Sequence, residues 1–449
     1  KLSVSASYKT GYSRATRTMN MLNTSEYLQM RREAFANDAV IPTILNAPDL
    51  LLWDTTKYTD FKQLFTGGRA TFNDVQVSMG ASTGGTRFQL GLSYNKETTV
   101  YSTSQNGRRF AANLNLGHTT PNRKCSINSV LSYSIYGTSL LRDDLTAYIN
   151  LPPHFQLYDS TGNINWKMGN ADIASFGLSN PMALLQRSYE GSFSTFLANL
   201  TLSYKITGHL TFRFTNGFQQ LHSNEQFLFP RSSINPASAQ MASAEFSNAK
   251  LQSMLSEPQL EYNNRLGLLK LTMLAGASFQ QTENRAGKLI ADNYTSDLLL
   301  STPLAAGTFR VKDEYSLYRY AAAFGRINLQ WKETWILNLS ARRDGSSRFG
   351  PASRFANFGA VGAAWLFSNA KWVKKNLSFI SFGKLRLSWG LTGNDQVGNY
   401  QFLNTWTSSS LTYQGTPALQ PSRLFNPGYS WEKNTKTEQA PKSLFVEPV

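Results

Sequence analysis

Apolar and polar residues alternate in many short segments of this chain. Residues 87–95, for example, read RFQLGLSYN, in which the even-numbered positions are apolar and the odd-numbered positions are polar or glycine. Successive side chains of a β-strand point to opposite faces, so this spacing predicts a strand with one apolar and one polar face. About fourteen segments share the pattern. The sequence therefore predicts an all-β fold.

The lengths of the links between these segments also alternate. Short turns near residues 84–85, 119–122, 207–209, 267 and 332–334 alternate with long links at about residues 14–71, 97–107, 137–191, 219–248, 281–315 and 343–353. Many segments have the roughly 9 to 11 residues with which a tilted strand crosses a bilayer. A soluble β-sandwich shows the same local alternation. Short turns on one side and long links on the other favour a transmembrane antiparallel β-barrel.

Two of the long links carry recognisable local patterns. In the first link, NTSEYLQMRREAFAND predicts a helix, because Asn23 can cap it and Glu26 stands three residues later as its capping-box partner. In the link at 343–353, the pairs Asp344–Gly345 and Gly350–Pro351 predict turns. Both links are expected to lie outside the membrane.

Composition and charge narrow the class of protein. The 449 residues include no apolar run of about 18, which excludes a protein that spans the membrane with helices. A net charge of +16 suggests a nucleic-acid partner, but the lysines and arginines are scattered and form no basic block. No nucleic acid is therefore expected. The single cysteine, Cys125, allows no internal disulfide.

Residues that could support catalysis or metal binding show no convergent pattern. The four histidines lack metal-ligand spacing. Asp143 and Asp144 are adjacent carboxylates in a loop and are expected to be solvated. Residues 158–166, YDSTGNINW, could offer oxygens to calcium, but they lack the acidic ligands of an EF-hand and favour a glycine-centred turn. We expect no enzyme activity, no cofactor and no metal.

Five segments, in this order, closely resemble the SusC-like (SusC/RagA) family of TonB-dependent outer-membrane transporters of the Bacteroidota. They are MLNTSEYLQMRREAFAND, WDTTKYTDF, ARRDGSSRFGPASRFANFGAVGAAWLF, KLRLSWGLTGNDQVGNYQFL and NPGYSWEKNTKTE. The resemblance covers about residues 1–438, and five ordered matches are more specific than any single motif.

This resemblance implies a 22-stranded barrel in the outer membrane of a Gram-negative bacterium. It implies import of oligosaccharides, or sometimes peptides, with energy transmitted by TonB and with a SusD-like surface lipoprotein as a lid. Outer-membrane lipid and lipopolysaccharide would surround the barrel. About fourteen strands are expected in this chain, without the plug domain. Residues 439–449 depart from the family pattern and are expected to be an aberrant tail, so the chain is expected to be a truncated piece that is inactive alone.

The candidate site residues fall into two groups. Tyr148, Tyr158 and Trp166 lie in the long link at 137–191 and are expected to contact substrate, although such a loop can instead fold on itself. The second group occupies the polar faces of strands and is expected to line the lumen: Arg87, Arg109, Arg213, Lys384 and Arg386.

Two other functions stay open at this level. One keeps the barrel but makes the protein a siderophore or cobalamin receptor. The other, from a different class, is a secreted β-rich adhesin or carbohydrate-binding protein, which would be soluble without detergent.

Overall fold

A computed structural model describes residues 2–101, 105–377 and 380–445. Fourteen strands form one antiparallel sheet in the order β1-β2-β3-β4-β5-β8-β9-β10-β11-β12-β13-β14-β15-β18. Their bounds are β1 Leu2–Ser13, β2 Ala70–Thr83, β3 Thr86–Thr98, β4 Asn106–Thr119, β5 Cys125–Leu140, β8 Ser188–Lys205, β9 Leu210–Phe229, β10 Ala242–Leu266, β11 Leu269–Tyr294, β12 Thr308–Trp331, β13 Trp335–Ser346, β14 Phe355–Trp365, β15 Ile380–Asn394 and β18 Glu432–Phe445. The prediction of an all-β fold with about fourteen strands is confirmed.

Four further strands form two small hairpins in the links. They are β6 Lys167–Met168 with β7 Ala171–Asp172, and β16 Trp406–Tyr413 with β17 Thr416–Pro421. Five short α-helices complete the links: α1 Thr24–Asn37, α2 Pro48–Leu51, α3 Phe61–Thr66, α4 Pro181–Leu184 and α5 Lys371–Asn376. Within the described residues, none of the helices is long and apolar enough to cross a membrane.

The predicted first helix is α1. The Asn23 side chain accepts a hydrogen bond from the Glu26 backbone N–H at 3.0 Å. The Glu26 carboxylate accepts one from the Asn23 backbone N–H at 2.9 Å. The capping box is therefore complete, and the predicted start of the helix is confirmed.

The strand register sorts the side chains into two faces. Phe88 pairs with Leu116, and Gln89 pairs with Asn115, so neighbouring strands place like residues beside one another. We call the face that carries Phe88 and Leu116 the apolar face, and the opposite one the polar face. Because strand side chains alternate, this pairing carries both faces across the whole sheet.

The short turns lie at one end of the sheet and most long links at the other, but the link between β14 and β15, which carries α5, is a long link at the turn end. However, β9, β10, β11 and β12 contain 20, 25, 26 and 24 residues, more than a membrane crossing requires. The links that follow β9 and β11 therefore cover only residues 230–241 and 295–307. The predicted limits of 219–248 and 281–315 are too wide, because the outer parts of these strands lose the regular apolar–polar alternation yet stay paired.

Several other boundaries also differ from the prediction. The first and third links run over residues 14–69 and 141–187 rather than 14–71 and 137–191. Asp344 and Gly345 do not form a turn, since β13 continues to Ser346. The backbone of β18 pairs with β15 as far as Phe445, so the aberrant tail predicted from residue 439 continues a strand. Residues 446–449 lie outside the described part of the chain.

Candidate functional site

The apolar face exposes large side chains along the length of the sheet. Leu92 is 38% exposed, Phe110 43%, Leu200 39% and Trp389 51%. Exposed apolar surface on this scale requires a non-aqueous neighbour. The alternation of this face with a polar one matches the wall of a membrane barrel, whose lipid-facing side is apolar and whose interior is polar.

Tryptophans gather where the apolar face meets the turn end of the sheet. Trp331 pairs with Trp335, which in turn pairs with Trp365. The rings of Trp335 and Trp365 stack with their centroids 5.3 Å apart. Tryptophan is favoured at the level of lipid headgroups because its ring is apolar and its N–H is polar. These three residues therefore indicate one boundary of a membrane-spanning band.

All five predicted lumen cations lie on the polar face, but they are dispersed. Arg87 donates to Asn128 Oδ1 at 3.2 Å, and the Arg109 guanidinium lies 5.1 Å from the centre of the Tyr136 ring. Arg213 and Arg386 face the carboxylates of Glu261 at 3.9 Å and Glu438 at 2.8 Å. Lys384 shares β15 with Arg386, two positions away. The structure brings only these last two close together, so the five do not form one site.

The links 14–69 and 141–187 fold against each other into what we call the loop block. Its centre is a cluster of buried side chains: Trp53, Phe61, Phe65, Leu145, Phe155, Met168, Ile173 and Leu184. Tyr148 and Trp166 pack against this cluster, and the Tyr148 hydroxyl lies 3.2 Å from Ser179 Oγ. Tyr158 is 48% exposed. Of the three predicted substrate contacts, two are therefore partly used to hold the loop together, and Tyr158 is the most accessible.

The segment 158–166 forms a tight turn. Asp159 Oδ1 accepts the backbone N–H groups of Thr161 and Asn163, both at 2.9 Å. Gly162 has a φ of 83°, which glycine adopts without strain. The prediction of a glycine-centred turn is confirmed.

A buried carboxylate ties α1 to the rest of the loop block. Asp49 accepts hydrogen bonds from Arg31 Nε at 2.8 Å, from Arg31 Nη2 at 3.1 Å and from the Tyr27 hydroxyl at 2.9 Å. Burial acts to raise the pKa of Asp49, but these charged and neutral donors outweigh it and hold that pKa below its usual range. His154 is fully buried beside them, with Nε2 2.8 Å from the Asp49 carbonyl oxygen. The first and third links are thus joined by polar as well as apolar contacts.

The glycine- and arginine-rich segment 341–367 docks onto a second long link, 395–431. Asp395 accepts from the Tyr318 hydroxyl at 2.7 Å and from Ser346 Oγ at 2.8 Å. Arg348 donates to the Asp395 carbonyl oxygen at 3.0 Å and lies 4.4 Å from the centre of the Tyr318 ring. The tip of this segment is therefore fixed in place instead of projecting into solvent.

Apolar contacts close the same junction. Phe349 is completely buried, and its ring centre lies 5.2 Å from that of Trp431. The indole N–H of Trp431 donates to the carbonyl oxygen of Arg354 at 3.2 Å. Three of the five segments that resemble the SusC-like family thus meet at one place, the loop end of β12 to β15.

Sequence reasoning missed an aromatic patch on the polar face, near the loop end of β4, β5, β8 and β9. Tyr136 stacks with Phe193 at 6.1 Å between ring centres, and Tyr189 lies 4.5 Å from Phe227. All four rings are half-buried. The signal in the sequence was a break in the alternation, because large rings occupy positions where the polar face elsewhere carries Ser, Asn or Gly.

Glycines allow these rings to lie flat on the sheet. A Cβ atom on Gly191 would come within 2.7 Å of both the Phe193 ring and the Tyr189 hydroxyl, and one on Gly107 would meet the Tyr136 hydroxyl at 2.7 Å. Flat rings present their π-faces to the interior. Arg109 and Glu225, the latter accepting from the Tyr189 hydroxyl at 3.0 Å, add charge at the edges. The aromatic patch can stack on a ligand and hydrogen-bond to it.

Comparison with known proteins agrees with this geometry. No protein-family signature matches the chain. Among curated relatives, TonB-dependent receptor P3 of Formosa agariphila is 27% identical over 270 residues, which is 59% of this chain and 26% of the relative. TonB-dependent receptor SusC of Bacteroides thetaiotaomicron is 30% identical over 118 residues, 25% of this chain and 12% of that protein. The chain is therefore similar to TonB-dependent receptors, SusC among them.

Solved structures extend the likeness to nearly the whole chain. The RagAB peptide transporter matches 98% of it with a TM-score of 0.77 at 18% identity, and the RagAB peptide importer in its open-open state matches 99% with a TM-score of 0.76 at 20% identity. Each match covers 52% of the RagAB chain. The chain therefore has the fold of part of the RagAB transporter chain and spans about half of its length. The curated relatives are named as TonB-dependent receptors, and RagAB is named as a peptide transporter.

Proposed function

We propose that this chain forms part of an outer-membrane barrel that imports oligosaccharides or peptides by a TonB-dependent mechanism. The observation that carries the proposal is the two-faced sheet, apolar outside and polar inside, which matches RagAB over 98% of the chain. In lipid, every backbone group of a strand needs a partner. The barrel therefore also needs strands beside β1 and β18, the edges of the described sheet.

Substrate would be held at the loop end. The aromatic patch, Tyr158 of the loop block and Arg109 offer π-faces, hydroxyls and a guanidinium group to a ligand rich in hydroxyl or amide groups. A SusD-like lipoprotein would cover the loop block from outside, and TonB would drive release inward. No covalent step is needed, because import changes only the location of the ligand.

Gene deletion in the source bacterium, combined with membrane fractionation, tests this proposal. We expect the protein in the outer-membrane fraction, and the deletion strain should lose uptake of one oligosaccharide or peptide class while growing normally under iron limitation. A soluble product that is monodisperse without detergent would overturn the membrane assignment. A growth defect confined to iron limitation would favour a siderophore receptor instead.

A further inference from the structure

Strand β12 spans a bilayer between two recognisable boundaries on the apolar face. Trp331 marks the turn end, and the outward positions that follow are apolar or glycine until Arg319. These two residues are about twelve positions apart, or about 40 Å of strand at about 3.3 Å per residue. A tilt of about 40° reduces this to a height of about 30 Å, the thickness of the hydrocarbon core. Arg319 therefore lies at the boundary on the loop side.

Beside Arg319, the apolar face contains a cavity of about 510 Å³. Its apolar walls are the side chains of Met254, Phe279 and Phe355, and its floor is Ala321 and Gly345. A Cβ atom on Gly345 would collide with the Phe355 ring, so that ring lies flat across the glycine. Phe279 and Phe355 are 54% and 56% exposed. The cavity is therefore an open apolar recess at the level where acyl chains join their headgroups.

Arg319 and Arg354 line this recess, and Arg343 lies beside it against the Phe355 ring. Neither Arg319 nor Arg343 has an anionic partner among the described residues. Arg319 Nε donates to the amide oxygen of Gln281 at 3.0 Å. The Arg343 guanidinium lies 5.4 Å from the centre of the Phe355 ring, and both side chains are exposed. Within residues 2–101, 105–377 and 380–445, neither arginine belongs to an ion pair. Arginine on a lipid-facing surface is costly unless it reaches an anion or water.

We propose that this recess binds a phosphorylated, acylated glycolipid of the lipid A type from the outer leaflet. One acyl chain lies against Met254, Phe279 and Ala321, and the phosphate is bound by Arg319 and Arg343. Guanidinium groups bind phosphate through paired, charge-assisted hydrogen bonds, which supplies the missing anion. This inference rests on the membrane location in the proposed function.

Charge complementarity favours this occupant over a second copy of the chain. A protein partner at this depth would have to bring carboxylates into the apolar band, whereas a lipid phosphate is already present at that level. The long links place this end of the barrel on the side where the outer leaflet lies.

Binding of defined lipids to the receptor, purified from its own outer membranes and delipidated in detergent, tests the inference. Native mass spectrometry would compare lipid A with phosphatidylethanolamine. We expect wild-type receptor to retain lipid A, and the double variant Arg319→Gln/Arg343→Gln to bind it at least about tenfold more weakly. Arg285→Gln is the matched control, because Arg285 lies on the same face beyond the recess and pairs with Glu283 at 2.6 Å.

A second variant tests the apolar part of the recess. Ala321→Trp should fill it and reduce lipid A binding while both arginines remain, whereas Ala363→Trp, on the apolar face of β14, should not. Equal binding of lipid A by the wild type and the double variant would overturn the inference, and so would equal affinity for phosphatidylethanolamine. These outcomes test the binding of lipid A and leave the proposed transport function untested. A failure of the proposed function would appear instead as absence from the outer-membrane fraction.

Discussion

Asp49 shows how a single residue can hold two distant links together. Its carboxylate is only 7% exposed and accepts three hydrogen bonds, from Arg31 and Tyr27 of α1. The backbone oxygen of the same residue lies against His154 of the other link. A buried carboxylate is stable only with such partners, because burial alone opposes its charge.

Replacing Asp49 with Asn should loosen the loop block. The change leaves Arg31 without its anion, and we expect a loss of about 1–3 kcal/mol of local stability. The rate of limited proteolysis within links 14–69 and 141–187 measures this loss of local stability. Asp38→Asn, at an exposed position after α1, is the matched control. Unchanged protease resistance in Asp49→Asn would contradict the role assigned to this carboxylate.

The lowered pKa of Asp49 also determines how the stability of the loop block changes with pH. Its stabilising effect is fully present above the ordinary carboxyl pKa of about 4 and is lost as the pH falls through the lower value of the folded state. The Asp49→Asn variant should lack this acid-dependent loss.

Phe193 is the residue with which to test the aromatic patch. Phe193→Ala removes a flat ring from the polar face, and we expect ligand affinity to fall about fivefold to tenfold. Phe196→Ala is a control of the same residue type on the same strand, because Phe196 lies on the apolar face. Isothermal titration with the imported ligand measures both. Similar losses in the two variants would mean that the effect is structural.

At the scale of elements, the turns and strand lengths set the geometry of the sheet. The β2–β3 hairpin turns through Gly84 and Gly85, whose φ angles are 53° and 80°. Two positive φ values fit the right-handed twist of a two-residue hairpin. Strands β9 to β12 extend beyond the membrane band, so their outer halves form a paired wall that supports the links.

The two glycines of this hairpin should differ in their tolerance of substitution. A Cβ atom on Gly85 would collide with the carbonyl oxygen of Thr119, whereas one on Gly84 would meet open space. Gly85→Ala should therefore cost about 1–3 kcal/mol, and Gly84→Asn should be tolerated, because Asn accepts a positive φ. Urea unfolding of the detergent-folded receptor compares the variants. Equal urea midpoints for Gly85→Ala and Gly84→Asn would show that the turn adjusts to a Cβ atom on Gly85.

At the scale of the whole molecule, the sheet has no conventional core between its two faces. Buried clusters lie in the loop block and in the two other loop-end junctions, while the apolar face is exposed over its length. A sheet with these two faces fits the proposed barrel wall, with lipid on the apolar side and water on the polar side.

An arginine introduced on the apolar face should lower the stability of the folded protein, whereas one on the polar face should not. Leu200→Arg places a guanidinium in the middle of the apolar face of β8 and should destabilise the folded receptor by about 2–4 kcal/mol. Asn199→Arg, the neighbouring position on the polar face, should have little effect. The temperature at which the folded band on an unboiled gel is lost compares the two. A larger effect at Asn199 would reverse the assignment of the faces.

Local features of the fold could be predicted from particular residues. Asn23 and Glu26 predicted the start of α1, and the alternation in residues 87–95 predicted β3 and its two faces. The ends of β9 to β12 could not be predicted, because the outer parts of these strands stay paired without a regular apolar–polar alternation. The Asp344–Gly345 pair was assigned to a turn because local propensity favours one, but pairing with β12 and β14 keeps it in a strand.

The candidate site was less accessible to sequence reasoning than the fold. Tyr148 and Trp166 were identified as aromatic loop residues, yet only the packing of two links distant in sequence shows that they support the loop block. Likewise, Tyr136 and Phe193 become one surface only through the register of β5 and β8. The sequence by itself determined the strands, their faces and their need for lipid, since these depend on the spacing of neighbours along the chain. The tertiary structure alone decided which residues meet, because contacts between distant segments depend on register and on loop packing that no local pattern encodes.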